Sequence, residues 1–284
     1  MSVKLPYVEY EAPATIAEAV DLLAEHQDEA SVLAGGQSLI PLLALRLARP
    51  AVLIDINRVG ELSGVSVTDG RVAIGAMTRE YAAEESETVA GSVPLLAAAL
   101  PLVGHEAIRS RGTIGGSMAH ADPAAELPAV AVALDAELVA RSARGERTIP
   151  AADFFQGFLT TALAPDELLV EVRLPLQKGG SSLKEVTRRH GDFALAGAAA
   201  AVTVEGGRIW DARVALMGVG QGPVRATEAE AALRGAEPGD AVLREAARRA
   251  AADLQPSSDV HATATYRRRV AEVLVRRALQ EAIS

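Results

Sequence analysis

Cysteine is absent from all 284 residues of the chain. Disulfide bonds, thiolate nucleophiles, cysteine-ligated zinc and an iron–sulfur cluster bound by this chain are therefore excluded. The five histidines are scattered with no partner at metal-ligand spacing, so the sequence predicts no metal site. No serine lies in a G-x-S-x-G elbow, which leaves a hydrolase triad without support, and we assign no catalytic residue to this chain.

The chain has fewer basic residues than acidic ones. The chain has 28 lysines and arginines against 37 acidic residues, for a net charge of −9. A surface that tracks nucleic-acid phosphates needs clustered lysine and arginine, so we expect no nucleic-acid partner. The most basic stretch, Tyr266 to Arg269, falls inside an apparent helix, and we interpret it as a solvated helical face.

Long apolar runs are also missing. The longest extend from Val93 to Val103 and from Leu195 to Val204, well short of the roughly 18 residues that a spanning helix needs. The first seven residues have no apolar stretch of the kind that a signal peptide requires. We therefore expect a cytoplasmic protein with no membrane span.

The 284 residues are enough for about two domains, and the 49% of them that are apolar can bury a core. Near the amino terminus, a capping box and an apolar stripe predict a helix from Thr15 to His26. Two buried strands, at Ser31 to Ala34 and at Val52 to Asp55, enclose a second helix from Ser38 to Leu47. Residues 1–56 are therefore predicted to form a small βαβ-like subdomain.

A larger subdomain is predicted over residues 57–176. Its clearest feature is Asp69-Gly70, a hairpin signal between the alternating segments Gly64 to Thr68 and Arg71 to Gly75. The other expected elements are helices at 78–84, 93–103 and 125–134, strands at 137–142 and 169–174, and a loop at 112–123.

The stretch Gln177 to Ser182 is polar and rich in glycine and serine, which favours a linker. Residues 181–284 are expected to form a second domain, in which a hairpin precedes two helices. That order favours an antiparallel sheet with helices on one face, and an α+β protein as a whole. The hairpin strands are predicted at 196–204 and 208–216, and the helices at 240–254 and 264–282.

Two glycine pairs could carry chemistry, in the segments Ala34 to Leu39 and Thr113 to Ser117. Backbone N–H groups can converge on an anion where no side chain obstructs them, and a helix amino terminus at the first segment would add its dipole. Either pair alone is equally well read as a turn, but the two together favour binding of a pyrophosphate. Neither segment matches G-x-G-x-x-G or the phosphate-loop pattern.

Two polar clusters each allow two readings. The run from Ala119 to Glu126 could supply hydrogen-bond acceptors for a ribose or a flavin edge, or Asp122 could cap a helix beginning near Pro123. The cluster Arg188 to Phe193 interrupts apolar sequence and is read structurally as a charged turn before a strand.

In this order, these segments resemble the FAD-binding medium subunit of the molybdenum hydroxylases, a family that includes xanthine dehydrogenase, and most closely that of aerobic carbon monoxide dehydrogenase. The resemblance implies a two-subdomain FAD-binding region of the vanillyl-alcohol-oxidase type (PCMH-like), followed by a carboxy-terminal domain of antiparallel sheet and helices. It covers essentially the whole chain and is carried by 34–41, 108–116, 191–194, 256–259 and 266–267.

The resemblance also implies where FAD binds. The backbone of residues 33–39 and 113–117 would hold the pyrophosphate, and Lys184 would approach the flavin ring and stabilise its anionic reduced form. Glu126, Phe193 and Gln37 stand where relatives have aspartate, tyrosine and histidine. The implied cofactor-binding residues are Leu33, Ala34, Gly35, Gly36, Gln37, Ser38, Leu39, Val103, Ile108, Thr113, Gly115, Gly116, Ser117, His120, Asp122, Glu126, Leu169, Lys184, Asp192 and Phe193.

The implied partners are a molybdenum-cofactor large subunit and a [2Fe-2S] small subunit, arranged as a dimer of heterotrimers. Electrons would pass from the iron–sulfur subunit through FAD to quinone, NAD or oxygen. The absence of cysteine fits that division of labour. Two alternatives stay open at this stage: a self-contained flavin oxidase or dehydrogenase, and a dinucleotide-binding module without turnover.

Overall fold

The computed structural model describes residues 5–284. Its amino-terminal part is a three-stranded parallel sheet in the order β1-β3-β2, with a helix in each connection. The elements are β1 (Glu9–Glu11), α1 (Ile16–His26), β2 (Ala30–Leu33), α2 (Leu39–Ala44) and β3 (Val52–Asp55). The predicted capping box is confirmed, because the side chains of Thr15 and Glu18 each accept a hydrogen bond from the other's backbone.

The second helix is shorter than predicted. It ends at Ala44 and not at Leu47, because the backbone of Arg46 adopts a φ of 63°, in the left-handed region that a right-handed helix cannot contain. Strand β1 was not predicted, and it adds an edge to the sheet beside β3.

The middle of the chain forms a five-stranded antiparallel sheet in the order β4-β5-β10-β6-β7. Its predicted hairpin across Asp69-Gly70 is confirmed, with positive φ at both turn residues. The strands of this region are β4 (Val65–Thr68), β5 (Arg71–Gly75), β6 (Glu137–Ser142), β7 (Gly145–Pro150), β8 (Phe155–Gly157), β9 (Thr160–Thr161) and β10 (Leu168–Pro175). Its helices are α3 (Glu80–Glu84), α4 (Glu87–Ser92), α5 (Pro94–Ala99), α6 (Glu106–Arg109), α7 (Ile114–His120), α8 (Glu126–Ala133) and α9 (Ala151–Phe154).

Three predictions in this region are wrong. The helix expected to continue to Val103 ends at Ala99 and gives way to a 3-10 turn that contains Pro101, whose ring cannot continue an α-helix. The expected loop at 112–123 contains α7. Helix α8 begins at Glu126, so Pro123 is not its first residue.

The carboxy-terminal part is a four-stranded antiparallel sheet in the order β11-β12-β13-β14, followed by three helices. The predicted hairpin and both long helices are confirmed. The expected linker is too long, since β11 already begins at Gly180. No helix within residues 5–284 is long and apolar enough to cross a membrane. The elements are β11 (Gly180–Val186), β12 (Ala196–Glu205), β13 (Arg208–Met217), β14 (Val224–Arg225), α10 (Thr227–Leu233), α11 (Asp240–Ala252) and α12 (Ala264–Ile283).

Both faces of this sheet are buried. Along β12, Ala199 and Ala201 pack into the core of the middle region, whereas Ala198 and Ala200 pack against the helices that follow. Because successive side chains of a strand point to opposite faces, the alanine run lets two layers approach the same strand. The two parts of the chain therefore share a core, and the division into residues 1–176 and 181–284 stays a prediction.

A buried carboxylate also joins these layers. Glu230 on α10 accepts a hydrogen bond from the backbone N–H of Val214 (2.8 Å) and one from Arg225. The same arginine donates to the carbonyl of Val132 (2.5 Å) and to Asp135 (2.8 Å), at the end of α8. This network fixes the carboxy-terminal sheet to the middle region.

Replacing Glu230 with alanine should destabilise the chain by about 3 kcal/mol, because Val214 and Arg225 would lose their buried partner. Urea unfolding followed by circular dichroism measures the change. Glu228, exposed on the same helix, supplies the matched control, and Glu228→Ala should leave the unfolding midpoint nearly unchanged. Equal midpoints for the two variants would contradict a structural role for the buried carboxylate.

Candidate functional site

The first glycine segment, residues 33–39, leaves β2 and enters α2. Every residue in it is half-buried, and Gly36 has a φ of 72°. The side-chain amide of Gln37 donates to the carbonyl of Gly35 (3.0 Å) and shapes the bend. Within residues 5–284, the backbone N–H groups of residues 35–39 have no acceptor. Such a run of free amides is a cradle for an anion.

The second glycine segment, residues 113–117, differs in this respect. It forms the start of α7, and the amides of residues 114–117 already have partners. The N–H of Ile114 donates to the Thr78 carbonyl (3.0 Å), that of Gly115 to Ala76 (2.8 Å), and that of Gly116 to the Thr113 hydroxyl (3.1 Å). The expected second row of free amides is therefore absent from the described structure, although the Thr113 hydroxyl keeps its own proton for another acceptor.

The glycines of the second segment serve close packing instead. A methyl group on Gly115 would lie 2.7 Å from the carbonyl oxygen of Ala76. Only glycine permits that approach between α7 and the end of β5.

The two glycine segments lie side by side. A methyl group on Gly35 would lie against the carbonyl oxygen of Arg111 and 2.8 Å from the Cα of Gly112. One on Gly116 would lie 3.7 Å from the Cβ of Ala34. The bends predicted to face a common ligand are thus brought together, and the atoms that meet between them include the backbone of residues 111 and 112.

A hydrogen-bond network connects these segments. Asn57, just after β3, donates to the carbonyl of Ala34 (2.9 Å) and to Asp55 (2.6 Å). Arg79 donates to the side-chain oxygen of Asn57 (2.7 Å) and, from its other terminal nitrogen, to the carbonyl of Arg111. Arg79 therefore contacts a partner of the first glycine segment and, at the same time, the backbone just before the second.

Four carboxyl groups interact near the second glycine segment, namely Glu80, Asp122, Glu126 and Glu185. Burial raises the pKa of Glu80 and of Glu126 to about 8, and that of Glu185 to about 7. Glu80 packs against Gly112, where a methyl group would lie 2.7 Å from its carboxyl carbon. At neutral pH the carboxyls of Glu80 and Glu126 keep their protons, so each can donate a hydrogen bond.

A second group of predicted residues meets around His105. Its ring lies edge-on to that of His190, with centroids 5.8 Å apart, and a methyl group on Gly191 would lie 2.6 Å from its Nδ1. Val103 and Ile108 flank this histidine in sequence. The structure therefore brings the loop of residues 187–195, which contains Asp192 and Phe193, onto the edge of the middle region.

Within this loop, Phe193 is 58% exposed and Asp192 is half-buried. One carboxylate oxygen of Asp192 is buried and lacks a hydrogen bond in the described chain, although Arg188 Nε lies 3.6 Å from it. An exposed aromatic ring can contact a planar ligand, and the adjacent carboxylate has an oxygen that can still accept a hydrogen bond.

Arg267 anchors the base of that loop, and the interpretation of residues 266–269 as a solvated face is wrong for it. The side chain is buried and donates to the carbonyl of Leu195 (2.6 Å) and to Asp259 (2.6 Å). Sequence periodicity could not reveal this, because the partners are distant along the chain.

Lys184 is not brought to the site. Its ammonium group forms an ion pair with Glu281 on α12. Since neighbouring residues of β11 point to opposite faces, Glu185 and not Lys184 points toward Glu126. The predicted approach of Lys184 to a flavin ring is therefore not supported, and its neighbour occupies that face.

The other predicted residues lie along α7, its end and the strand beneath. His120 is in the last turn of α7, and Leu169 is buried in β10. Asp122 does not cap α8, because its carboxylate accepts from the N–H of Ala124 (2.8 Å), in the turn before that helix. Ser38 caps no N–H of α2.

Sequence reasoning missed Asn57, Arg79, Glu80 and Glu185. Asn57 carried a usable signal, because it follows a buried parallel strand whose carboxyl end lies beside the first glycine segment. The others carried none, since their roles depend on contacts between separate elements. Residues 5–284 contain no group of three or more histidines or acidic residues able to hold a metal.

Comparison with known families matches the chain twice. Residues 6–177 match the FAD binding domain in molybdopterin dehydrogenase, and residues 181–282 match the CO dehydrogenase flavoprotein C-terminal domain. The two matches together span nearly the whole chain.

Individual relatives agree with this. The 6-hydroxypseudooxynicotine dehydrogenase complex subunit alpha of Paenarthrobacter nicotinovorans is 42% identical, over 99% of this chain and 96% of the relative. The caffeine dehydrogenase subunit beta of a Pseudomonas species is 39% identical, over 96% and 94%. A solved carbon monoxide dehydrogenase from Hydrogenophaga pseudoflava superimposes with a TM-score of 0.96 at 40% identity, over 98% of both chains.

Proposed function

We propose that this chain, which belongs to the FAD-binding medium subunits of the molybdenum hydroxylases, transfers electrons from such a complex to an external acceptor. It is similar to the medium subunit of carbon monoxide dehydrogenase. FAD is its cofactor. Bound FAD supplies the carrier chemistry, since it takes up electrons singly and can give them up as a pair.

The observation that carries this proposal is the cradle of free amides at residues 35–39, set directly against the second glycine segment. A diphosphate satisfies such a row of donors without any side chain. The close approach of Gly35 to Gly112 leaves backbone on both sides, which suits an extended dinucleotide. In this arrangement the hydroxyls of Ser38, Thr113 and Ser117 would complete the diphosphate site.

The flavin end would lie toward His105 and the loop of residues 187–195. There the apolar side chains of Val103, Ile108 and Leu169 would face the ring, and Phe193 would contact its edge or plane. The buried, incompletely bonded oxygen of Asp192 supports a polar partner at this end. His120, Asp122 and Glu126 would lie between the two ends, near the ribose and ribityl hydroxyls.

The proposed partners are a molybdenum-cofactor large subunit and a [2Fe-2S] small subunit, assembled as a dimer of heterotrimers. Relatives named as subunits or medium chains support a multisubunit assembly. This chain has no cysteine to bind an iron–sulfur cluster, so an iron–sulfur donor to FAD would lie on another chain. The external acceptor would be quinone, NAD or oxygen.

The substrate pocket lies outside this chain in our proposal. Relatives named for 6-hydroxypseudooxynicotine, caffeine and carbon monoxide are 42%, 39% and 38% identical to it along nearly their whole length. Three dissimilar substrates at comparable similarity indicate that this subunit does not select the substrate.

The purified chain should be yellow, and its absorbance near the flavin band should bleach under anaerobic conditions only after partner subunits and their substrate are added. Bleaching by a small reductive substrate with the chain alone would instead reveal a self-contained dehydrogenase. Both arms are read by absorbance, with FAD released by denaturation as the measure of loading.

A further inference from the structure

Arg79 is held at the junction of the two glycine segments by neutral groups. Its terminal nitrogens donate to the side-chain oxygen of Asn57 (2.7 Å) and to the backbone carbonyl of Arg111. No ion pair of Arg79 is found within the described chain. Its guanidinium is half-buried, and burial lowers its pKa. Two of its five N–H donors are used, so three are available to another acceptor.

The two groups that accept hydrogen bonds from Arg79 lie on either side of the peptide group between Ala34 and Gly35. Asn57 also donates to the carbonyl of Ala34 (2.9 Å), and the Arg111 carbonyl lies against Gly35. The guanidinium is therefore fixed beside the Ala34–Gly35 peptide, where the row of free amides begins. A rigid cation beside unfilled amides is the donor set that binds a phosphate oxygen.

A second cation lies nearby without a partner. The side chain of Arg111 is exposed, makes no hydrogen bond or ion pair with residues 5–284, and disfavours the charge on Arg79. The one carboxylate that favours this charge is Asp55, which also accepts from Asn57 (2.6 Å). Positive charge is thus in excess at this junction, although the chain as a whole is acidic.

We propose that Arg79 and Arg111 form the cationic side of the diphosphate subsite, and that Arg79 also holds the two glycine segments at the separation that the dinucleotide requires. The proposal rests on the proposed function, which places the FAD diphosphate at the first glycine segment. Arg79 contributes its charge and also a planar guanidinium that donates to two acceptors at once. Arg111 contributes charge alone.

Binding titrations of the full-length chain, freed of FAD, test this assignment. The probes are FAD, ADP, which shares only the diphosphate and adenosine part, and riboflavin, which has no phosphate. Arg79→Met should weaken FAD and ADP by the same factor, roughly 10- to 100-fold, as expected for lost hydrogen bonds to a charged group. Riboflavin binding should not change.

Two further variants separate charge from geometry. Arg79→Lys keeps the charge but cannot bond both flanking acceptors, so it should recover only part of the affinity. Arg111→Met, at an exposed side chain that holds no structural contact, should weaken FAD roughly 3- to 10-fold at low salt and much less at high salt, because exposed charges are screened. Arg248→Met, exposed on α11, is the matched control and should bind like wild type.

Unchanged FAD and ADP affinities in Arg79→Met and Arg111→Met would overturn the proposal, as would an equal loss of riboflavin binding, which would mean a general distortion of the site. Failure of the wild-type chain to bind FAD would instead overturn the proposed function. Circular dichroism and thermal melts confirm that each variant is folded before it is titrated.

Discussion

Replacing Gly35 with alanine should weaken FAD binding by up to roughly 100-fold. The added methyl group would lie against the carbonyl oxygen of Arg111 and 2.8 Å from the Cα of Gly112, and both are backbone atoms that cannot rotate away. Overpacking of this kind costs about 1–3 kcal/mol, and the strain is relieved by separating the two segments whose spacing the diphosphate needs. Titration of the FAD-free chain measures the dissociation constant.

Gly91→Ala is the matched control for this change. Gly91 lies in α4 with nothing within 4 Å of the position that a methyl group would take, and alanine suits a helix better than glycine. It should bind FAD like wild type. Wild-type affinity in Gly35→Ala, with the far-ultraviolet spectrum intact, would show that the close approach of the segments does not shape the site.

The second large effect concerns stability and pH. Glu80 is 4% exposed, one of its oxygens lacks a hydrogen bond in the described structure, and burial raises its pKa to about 8. An unfolded chain releases that proton near pH 4.5, so the folded state binds more protons between about pH 4.5 and 8. Stability from this group is therefore fully present at low pH, is lost as pH rises through that window, and stays low above it.

Glu80→Gln should abolish this loss, because the amide is neutral at every pH. Between about pH 5 and 8, the free energy of unfolding of the variant should rise relative to that of wild type by roughly 1.4 kcal/mol per pH unit. The difference should reach on the order of 4 kcal/mol at pH 9. Urea unfolding of the FAD-free chain at pH 5, 7 and 9 gives the two slopes. The exposed Glu85 supplies the control, and Glu85→Gln should follow wild type. Parallel pH profiles for Glu80→Gln and wild type would contradict the buried-acid assignment.

Local sequence signals predicted the elements that depend on local physics. The capping box at Thr15 and the Asp69-Gly70 hairpin are examples, since each is determined by a few adjacent residues. The ends of elements were less predictable where the backbone conformation of one residue decides them. The positive φ of Arg46 ends α2, and no glycine or asparagine in that stretch predicts a left-handed backbone conformation there.

The site was predictable in its glycine segments and less so in its supporting residues. Gly35 and Gly115 are marked by the absence of side chains, but their roles differ. The first segment offers free amides, whereas the amides of the second join α7 to the residues that follow β5. That difference depends on partners such as Ala76 and Thr78, which are far away in sequence. Arg79 and Glu185 were missed for the same reason.

The alanine run of β12 has a consequence for exchange between relatives. Ala198 and Ala200 pack against the carboxy-terminal helices, and Ala199 and Ala201 pack against the middle region. The strand therefore belongs to the cores of both parts of the molecule. A hybrid that joins residues 1–176 of this chain to the remainder of a relative would keep β12 and its following helices matched, but would mismatch the face of Ala199 and Ala201. Chimeric subunits should therefore fold only when the residues of the middle region that contact this face are transplanted together with the strand.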